Sequence, residues 1–276
     1  MSNRSKGNPS PARRQLQRLD SLLADRGLFP SRSRAAAAVL AGEVHLGPGR
    51  RRAEKPGQLV AGDVELDVAA PAQYVSRGGV KLANALDSFG LDVTGRRALD
   101  VGASTGGFTD CLLRRGAAHV IALDVAYGEL ALKLRDDSRV TVLERVNARA
   151  LEPAALPYRP ELVVADVSFI SLVKVLPAIL ACTAERFDAL VLVKPQFEVG
   201  RGRIGKGGVV RDPALRRAAI VSVAESARAE GAAVLGFASS GLPGPAGNRE
   251  TFAWLAENGR PGGVEDLDAA AREVEP

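Results

Sequence analysis

From residue 97 onward, short apolar runs alternate with stretches whose apolar residues recur every three or four positions. The runs at 97–101, 119–123, 140–143, 161–165, 188–193 and 233–238 predict strands, with one more near the C-terminus. Strands that alternate with helices predict a mostly parallel sheet with helices on both faces. Upstream, apolar residues at 82, 85, 86 and 89 predict a helix over 81–89, and those at 16, 19, 22 and 23 predict another that Gly27 caps. Ser31-Arg-Ser-Arg opens a second helix, Ala35 to Leu40, which stops at Gly42. Val44 to Leu46 reads as a strand, and 57–60 with 64–68 as a strand–turn–strand around Gly62-Asp63. Val264 to Val274 has the pattern of an amphipathic helix. These elements divide the chain into a disordered basic tail (1–15), a small unit (16–70), a linker (71–80) that Gly78-Gly79 makes flexible, and a larger α/β unit (81–276).

The run at 97–101 leads into a glycine-rich turn, Gly102, Ser104, Thr105, Gly106, Gly107 and Phe108. In an open α/β sheet such a turn lets the backbone approach a nucleoside, and an acid at the next strand end accepts from ribose hydroxyls. Asp124 holds that position. Glu144 and Asn147, after the third strand, suit the adenine region. The spacing is not the Gly-x-Gly-x-x-Gly of dinucleotide sites, and Asp100 just before the turn would repel a pyrophosphate. That acid suits the sulfonium and amino group of S-adenosylmethionine. The competing reading is a plain βα turn with surface acids.

Four charged residues sit where apolar strands end or helices begin: Lys81, Asp166, Lys194 and Glu250. Such charges are costly to bury singly and tolerable when they converge, and a lysine so placed can move or orient a proton. The alternative is four ordinary surface charges. The stretch 199–208, with Arg201 and Arg203, reads either as a mobile RNA-contacting loop or as a flexible surface loop.

Charge is uneven: residues 1–60 hold twelve Lys/Arg against four Asp/Glu, whereas the remainder is slightly acidic. A basic module on a near-neutral body points to a polyanionic partner. Cys111 and Cys182 lie in apolar helical patterns, and with two histidines there is no metal-ligand spacing. No secretory pattern and no run near 20 apolar residues is present, so a cytoplasmic protein without membrane contact is expected.

Leu19-Asp20, Ser31-Arg32-Ser33-Arg34-Ala35, Gly42-Glu-Val44, Lys55-Pro56 and Gly62-Asp63 resemble an S4 RNA-binding domain. The resemblance implies phosphate contacts from Arg18, Arg32 and Arg34. Arg50, Arg51 and Arg52 in the hairpin join them, as does Arg77. The order Lys81, Asp166, Lys194, Glu250 resembles ribose 2′-O-methyltransferases of the FtsJ type. Together with Val75-Ser-Arg-Gly-Gly, Ala165-Asp-Val-Ser-Phe-Ile-Ser-Leu and Val193-Lys-Pro-Gln-Phe-Glu-Val-Gly, residues 17–254 resemble the bacterial TlyA family, often called hemolysins. Ala72-Gln-Tyr-Val75 departs from the Arg-x-Trp-Val of some relatives. The resemblance implies an S4 domain followed by a Rossmann-like domain with a seven-stranded, mostly parallel sheet. It also implies S-adenosylmethionine as cofactor, ribosomal RNA of the large and sometimes small subunit as partner, and methylation of a cytidine ribose; the oligomeric state is left open by the sequence, with a monomer favoured. Two rivals are a base methyltransferase and a non-catalytic assembly factor. The first usually carries Asn-Pro-Pro-Tyr where Asp166-Val-Ser-Phe169 stands, or a cysteine at a strand end. A membrane-lytic protein would need long amphipathic segments.

Overall fold

The computed structural model describes residues 16–68 and 73–275, and the chain divides into two compact units at Ala72/Gln73. The expected tail and the start of the expected linker lie outside the described residues.

The first unit contains β1 (Leu16–Arg18), α1 (Leu19–Asp25), α2 (Arg32–Ala41), β2 (Val44–Leu46), β3 (Arg51–Arg52), β4 (Leu59–Ala61) and β5 (Leu66–Val68). Helices α1 and α2 bury Leu19, Leu22, Leu23, Ala35 and Val39 against Val44, Leu46 and Val60. Ser31 caps α2 by accepting from Arg34 N–H, and Gly42 ends it in the left-handed conformation. Two sequence expectations change. Leu16–Arg18 is a strand because it pairs with β4, and its leucine is exposed, so backbone pairing overrides the helical spacing. The strand–turn–strand at 57–68 is not a hairpin: β4 pairs with β1, whereas β5 pairs with β2.

The second unit opens with α3 (Arg77–Phe89), followed by β6 (Arg97–Val101), α4 (Gly107–Arg114), β7 (His119–Asp124), α5 (Leu132–Arg135) and β8 (Val140–Glu144). The chain then runs through β9 (Leu162–Ala165), α6 (Leu176–Ala181), β10 (Asp188–Val193), α7 (Pro195–Glu198), α8 (Pro213–Ala229), β11 (Ala233–Ser239), β12 (Thr251–Ala256) and α9 (Leu267–Val274). The seven strands are ordered β11-β12-β10-β9-β6-β7-β8, and only β12 runs antiparallel to its neighbours. Strand parity builds two cores. Leu99, Ile121, Val163 and Val191 face α6 and α8, while Ala98, Val120, Val164 and Leu190 face α3 and α4. Sequence order reverses between β6 and β9. The crevice beyond their carboxyl ends is where open α/β sheets hold ligands.

The expected flexible linker is ordered from Gln73. Tyr74 is buried, Val75 N–H donates to Asp110 at 2.9 Å, and Gly78-Gly79 belong to the first turn of α3. Gly79 is glycine because the Tyr74 ring lies where its Cβ would be. Close packing, not flexibility, explains the pair.

Candidate active site

The turn after β6 bends where small residues are required. Gly102 has φ +82°, and a Cβ there would stand 2.6 Å from the Asp166 carbonyl oxygen. Ser104 also adopts a positive φ, held because its N–H donates to Asp124 Oδ2 at 2.7 Å. The other Asp124 oxygen accepts from Ala126 N–H. Gly102→Ala is expected to push the Asp166 backbone outward and to cost about 1–3 kcal/mol. The checks are urea unfolding and calorimetric titration with S-adenosylmethionine, in which affinity should fall with stability.

Two cavities meet over this turn. One, about 430 Å³, is lined by Ser76, Arg77, Lys81, Thr105, Gly107, Phe108, Lys194 and Pro243. The other, about 460 Å³, is lined by Asp124, Val125, Glu129, Asn147, Phe169 and Ile170. Gly102, Ser104, Asp166 and Ser168 line both. The shared lining sets the two side by side, each of a size that holds part of a small ligand.

The four charges arrive as two ion pairs. Lys81 Nζ stands 2.5 Å from Glu250 Oε2, and both side chains are buried. Lys194 Nζ stands 2.5 Å from Asp166 Oδ1 and donates to Ser168 Oγ at 2.8 Å. Both lysines and Asp166 line the first cavity. Glu250 stands behind Lys81 and faces a separate cavity beside Ser240 and Arg249. Lys194 follows directly on β10 and Asp166 on β9, adjacent parallel strands, while Glu250 precedes β12, which pairs with β10. Glu198, on α7, clips the same region: it accepts from Ser171 Oγ and Leu172 N–H, and burial raises its carboxyl pKa.

Asp100 differs from its sequence reading. It is fully buried beneath the turn, lines neither cavity, and accepts from Thr109 N–H at 2.9 Å and Thr109 Oγ1 at 2.7 Å. Its second oxygen has no partner. Burial pushes this carboxyl from 3.8 up to about 7; the Thr109 hydroxyl opposes the rise, and the charges of Asp166 and Asp124 add to it. The folded protein therefore retains a proton that the unfolded chain releases. Stability from this group is full below about pH 4 and is lost as pH rises to about 7. Asp100→Asn keeps an acceptor for Thr109 and removes the penalty. Its stability should gain on wild type by something on the order of 4 kcal/mol between those pH values, read by urea unfolding across pH.

Glu144 also moves out of the predicted site. It pairs with Arg135 and accepts from Gly128 N–H, and it lines neither cavity. Gly106 lies under the turn, where a Cβ would strike Leu134 and Leu130. Asn147 lines the second cavity and caps its own turn by accepting from Arg149 N–H.

The predicted RNA-binding arginines behave differently from one another. Arg18 and Arg32 both approach Asp20, at 2.7 Å and 3.6 Å. Arg50 pairs with Asp67, while Arg34, Arg51 and Arg52 are exposed. In the second unit Arg77 lines the first cavity and donates to the Pro243 carbonyl at 3.0 Å. Arg201 opens a short 3₁₀ turn that Arg203, exposed, closes. The loop expected to be mobile is pinned at its far end by buried Asn248, which accepts from Val210 N–H and donates to the Gly208 carbonyl. Ser76, Ser168 and Pro243 were not among the predicted site residues. For Ser168 a signal existed: in an extended Asp-Val-Ser segment, alternate side chains share a side.

A fold with a parallel sheet, a glycine turn at its reversal point and paired lysines and acids beside that turn defines a nucleoside-cofactor enzyme. The family model for FtsJ-like methyltransferases matches residues 74–257, and the chain belongs to that family. It is 52% identical, over 86% of its length and 89% of the relative's, to the 16S/23S rRNA (cytidine-2′-O)-methyltransferase TlyA of Mycobacterium tuberculosis. It is 42% identical to Hemolysin A of Brachyspira hyodysenteriae, covering 72% of this chain and 82% of that one. Among solved structures, a Streptococcus thermophilus protein described as a hemolysin superposes with a TM-score of 0.71 at 37% identity, covering 95% and 96% of the two chains.

Proposed function

We propose that the chain transfers a methyl group from S-adenosylmethionine to the 2′-oxygen of a cytidine in ribosomal RNA. The observation that carries this reading is the convergence of two lysines on one cavity, each against a carboxylate, beside a second cavity at the glycine turn.

The residues fit the cofactor. Asp166 and Asp124 line the second cavity, Asp100 lies just below with an unpartnered oxygen, and the charges of Asp166 and Asp124 add to the cost of ionising Asp100. A cationic ligand relieves that repulsion, whereas a pyrophosphate would add to it. Asp124 would accept from ribose hydroxyls and Asn147 would face the adenine. The apolar Val125 and Ile170 would flank the base. Bound there, S-adenosylmethionine supplies an electrophilic methyl group on a sulfonium sulfur.

Lys194 lies in the adjoining cavity, where it orients the 2′-hydroxyl and, in its amine form, takes that proton on Nζ as the carbon–oxygen bond forms. Asp166 holds Lys194 and faces the methyl donor. Lys81, held in place by Glu250, turns its ammonium group toward the oxygen as it loses its proton. In the first unit Arg34, Arg51 and Arg52 supply exposed charge for phosphate, while Asp20 orders Arg18 and Arg32. In the second unit Arg77 and Arg203 are exposed and would add phosphate contacts.

The test is transfer of labelled methyl from the cofactor to isolated ribosomal subunits, followed by digestion to nucleosides. Label in 2′-O-methylcytidine supports the proposal; label on a base, or none, sinks it. The hemolysin names of relatives suggest membrane activity, yet no helix among the described residues is long and apolar enough to cross a membrane.

A further inference from the structure

We infer that Ser168 is the positioning residue for Lys194, an inference that rests on the methyl-transfer reading above. The Asp166 carboxylate and the Ser168 hydroxyl both stand within hydrogen-bonding distance of the Lys194 Nζ, but they do different work. Asp166 Oδ1 lies 2.5 Å from Nζ yet has no hydrogen bond, so the contact is close without being aligned. Ser168 Oγ accepts from Nζ at 2.8 Å with hydrogen-bond geometry. Asp166 supplies charge and Ser168 supplies direction.

The geometry of nitrogen makes that direction matter. A lysine amine has two N–H bonds and one lone pair. With one N–H bond held by Ser168, rotation about the terminal carbon–nitrogen bond is restrained, and with it the heading of the lone pair beside the cavity that all three residues line. That lone pair is where a sugar hydroxyl gives up its proton. Without Ser168 the amine rotates about its last carbon–nitrogen bond, and the lone pair is no longer confined to one heading. Ser168 is itself exposed and sits in the irregular segment after β9, so its hydroxyl serves the lysine and not the core.

Ser168→Ala and Ser168→Thr separate this from other roles. Each variant and the wild type are assayed with ribosomal subunits at saturating S-adenosylmethionine across pH, and cofactor affinity is measured by calorimetry. Ser168→Ala should lower kcat about tenfold to a hundredfold, the range expected for one hydrogen bond to a charged group. Thermal stability should stay near wild type, and any loss of cofactor affinity should be smaller than the loss of kcat, because Ser168 also borders the second cavity. The acid-side limb of the kcat profile should move to lower pH, because the ammonium form of Lys194 loses an acceptor. Ser168→Thr, which keeps the hydroxyl, should restore most of kcat and the wild-type limb. An unchanged kcat and limb in Ser168→Ala, or a loss confined to cofactor affinity, overturns the inference. Threonine failing as badly as alanine also overturns it. An inactive wild type would instead defeat the methyl-transfer reading itself.

Discussion

Lys194→Ala should reduce methyl transfer to ribosomal subunits by about 10³-fold, within the range set by a positioned acid–base group. Binding of RNA and of S-adenosylmethionine should remain close to wild type, because Lys194 has its partners in Asp166 and Ser168, and the second cavity's other walls do not involve it. The variant also relieves Asp166 of its cation, so no gain in stability is expected. Labelled methyl transfer against subunits, paired with filter binding of RNA, reads both quantities. Wild-type turnover would show that the amine at the end of β10 takes no part in the reaction.

The second large effect is on stability. Lys81 and Glu250 lie 169 residues apart in sequence and are both buried. Removing one member of a buried pair leaves the other charge uncompensated, which costs about 3–5 kcal/mol, whereas replacing both by apolar residues is often neutral or better. Glu250→Ala should therefore lower the denaturation midpoint sharply. Lys81→Met combined with Glu250→Leu should recover most of that stability while remaining inactive. A double-mutant cycle in urea shows the coupling directly. If the single variants cost nothing, the pair is solvated and is not the buried ion pair described above. Recovery of stability without recovery of turnover would show that the pair is kept for chemistry.

The strands of the second unit were legible because both sheet faces are covered, so each appears as an uninterrupted apolar run of limited length. The charged residues ending those runs were legible for the same reason: Asp166 and Lys194 break patterns of Val, Leu and Ala. What failed had local signals that tertiary pairing overrode. Leu16, Leu19, Leu22 and Leu23 satisfy a helical spacing, but three residues of that stretch pair with Leu59–Ala61 instead. Gly78-Gly79 reads as slack chain until Tyr74 is seen filling the space beside it. Acids were the least separable. Asp124 and Glu144 both end strands, yet Arg135 takes Glu144 away from the ligand side, and that arginine's position depends on how α5 packs. Asp100 reads in the sequence as an acid facing a cationic ligand and lies in the fold buried against Thr109; nothing in one sequence tells a buried acid that braces a turn from one that touches a ligand.

Lys81 is synthesised early and Glu250 late, on opposite flanks of nearly the entire α/β unit. The strand following Glu250, β12, is inserted between two strands already made, β10 and β11. Closure of the sheet and neutralisation of the Lys81 ammonium are thus a single event, which waits on β12. A polypeptide still emerging from a ribosome would carry the basic first unit but lack a finished reaction centre until Glu250 and β12 had been made and docked.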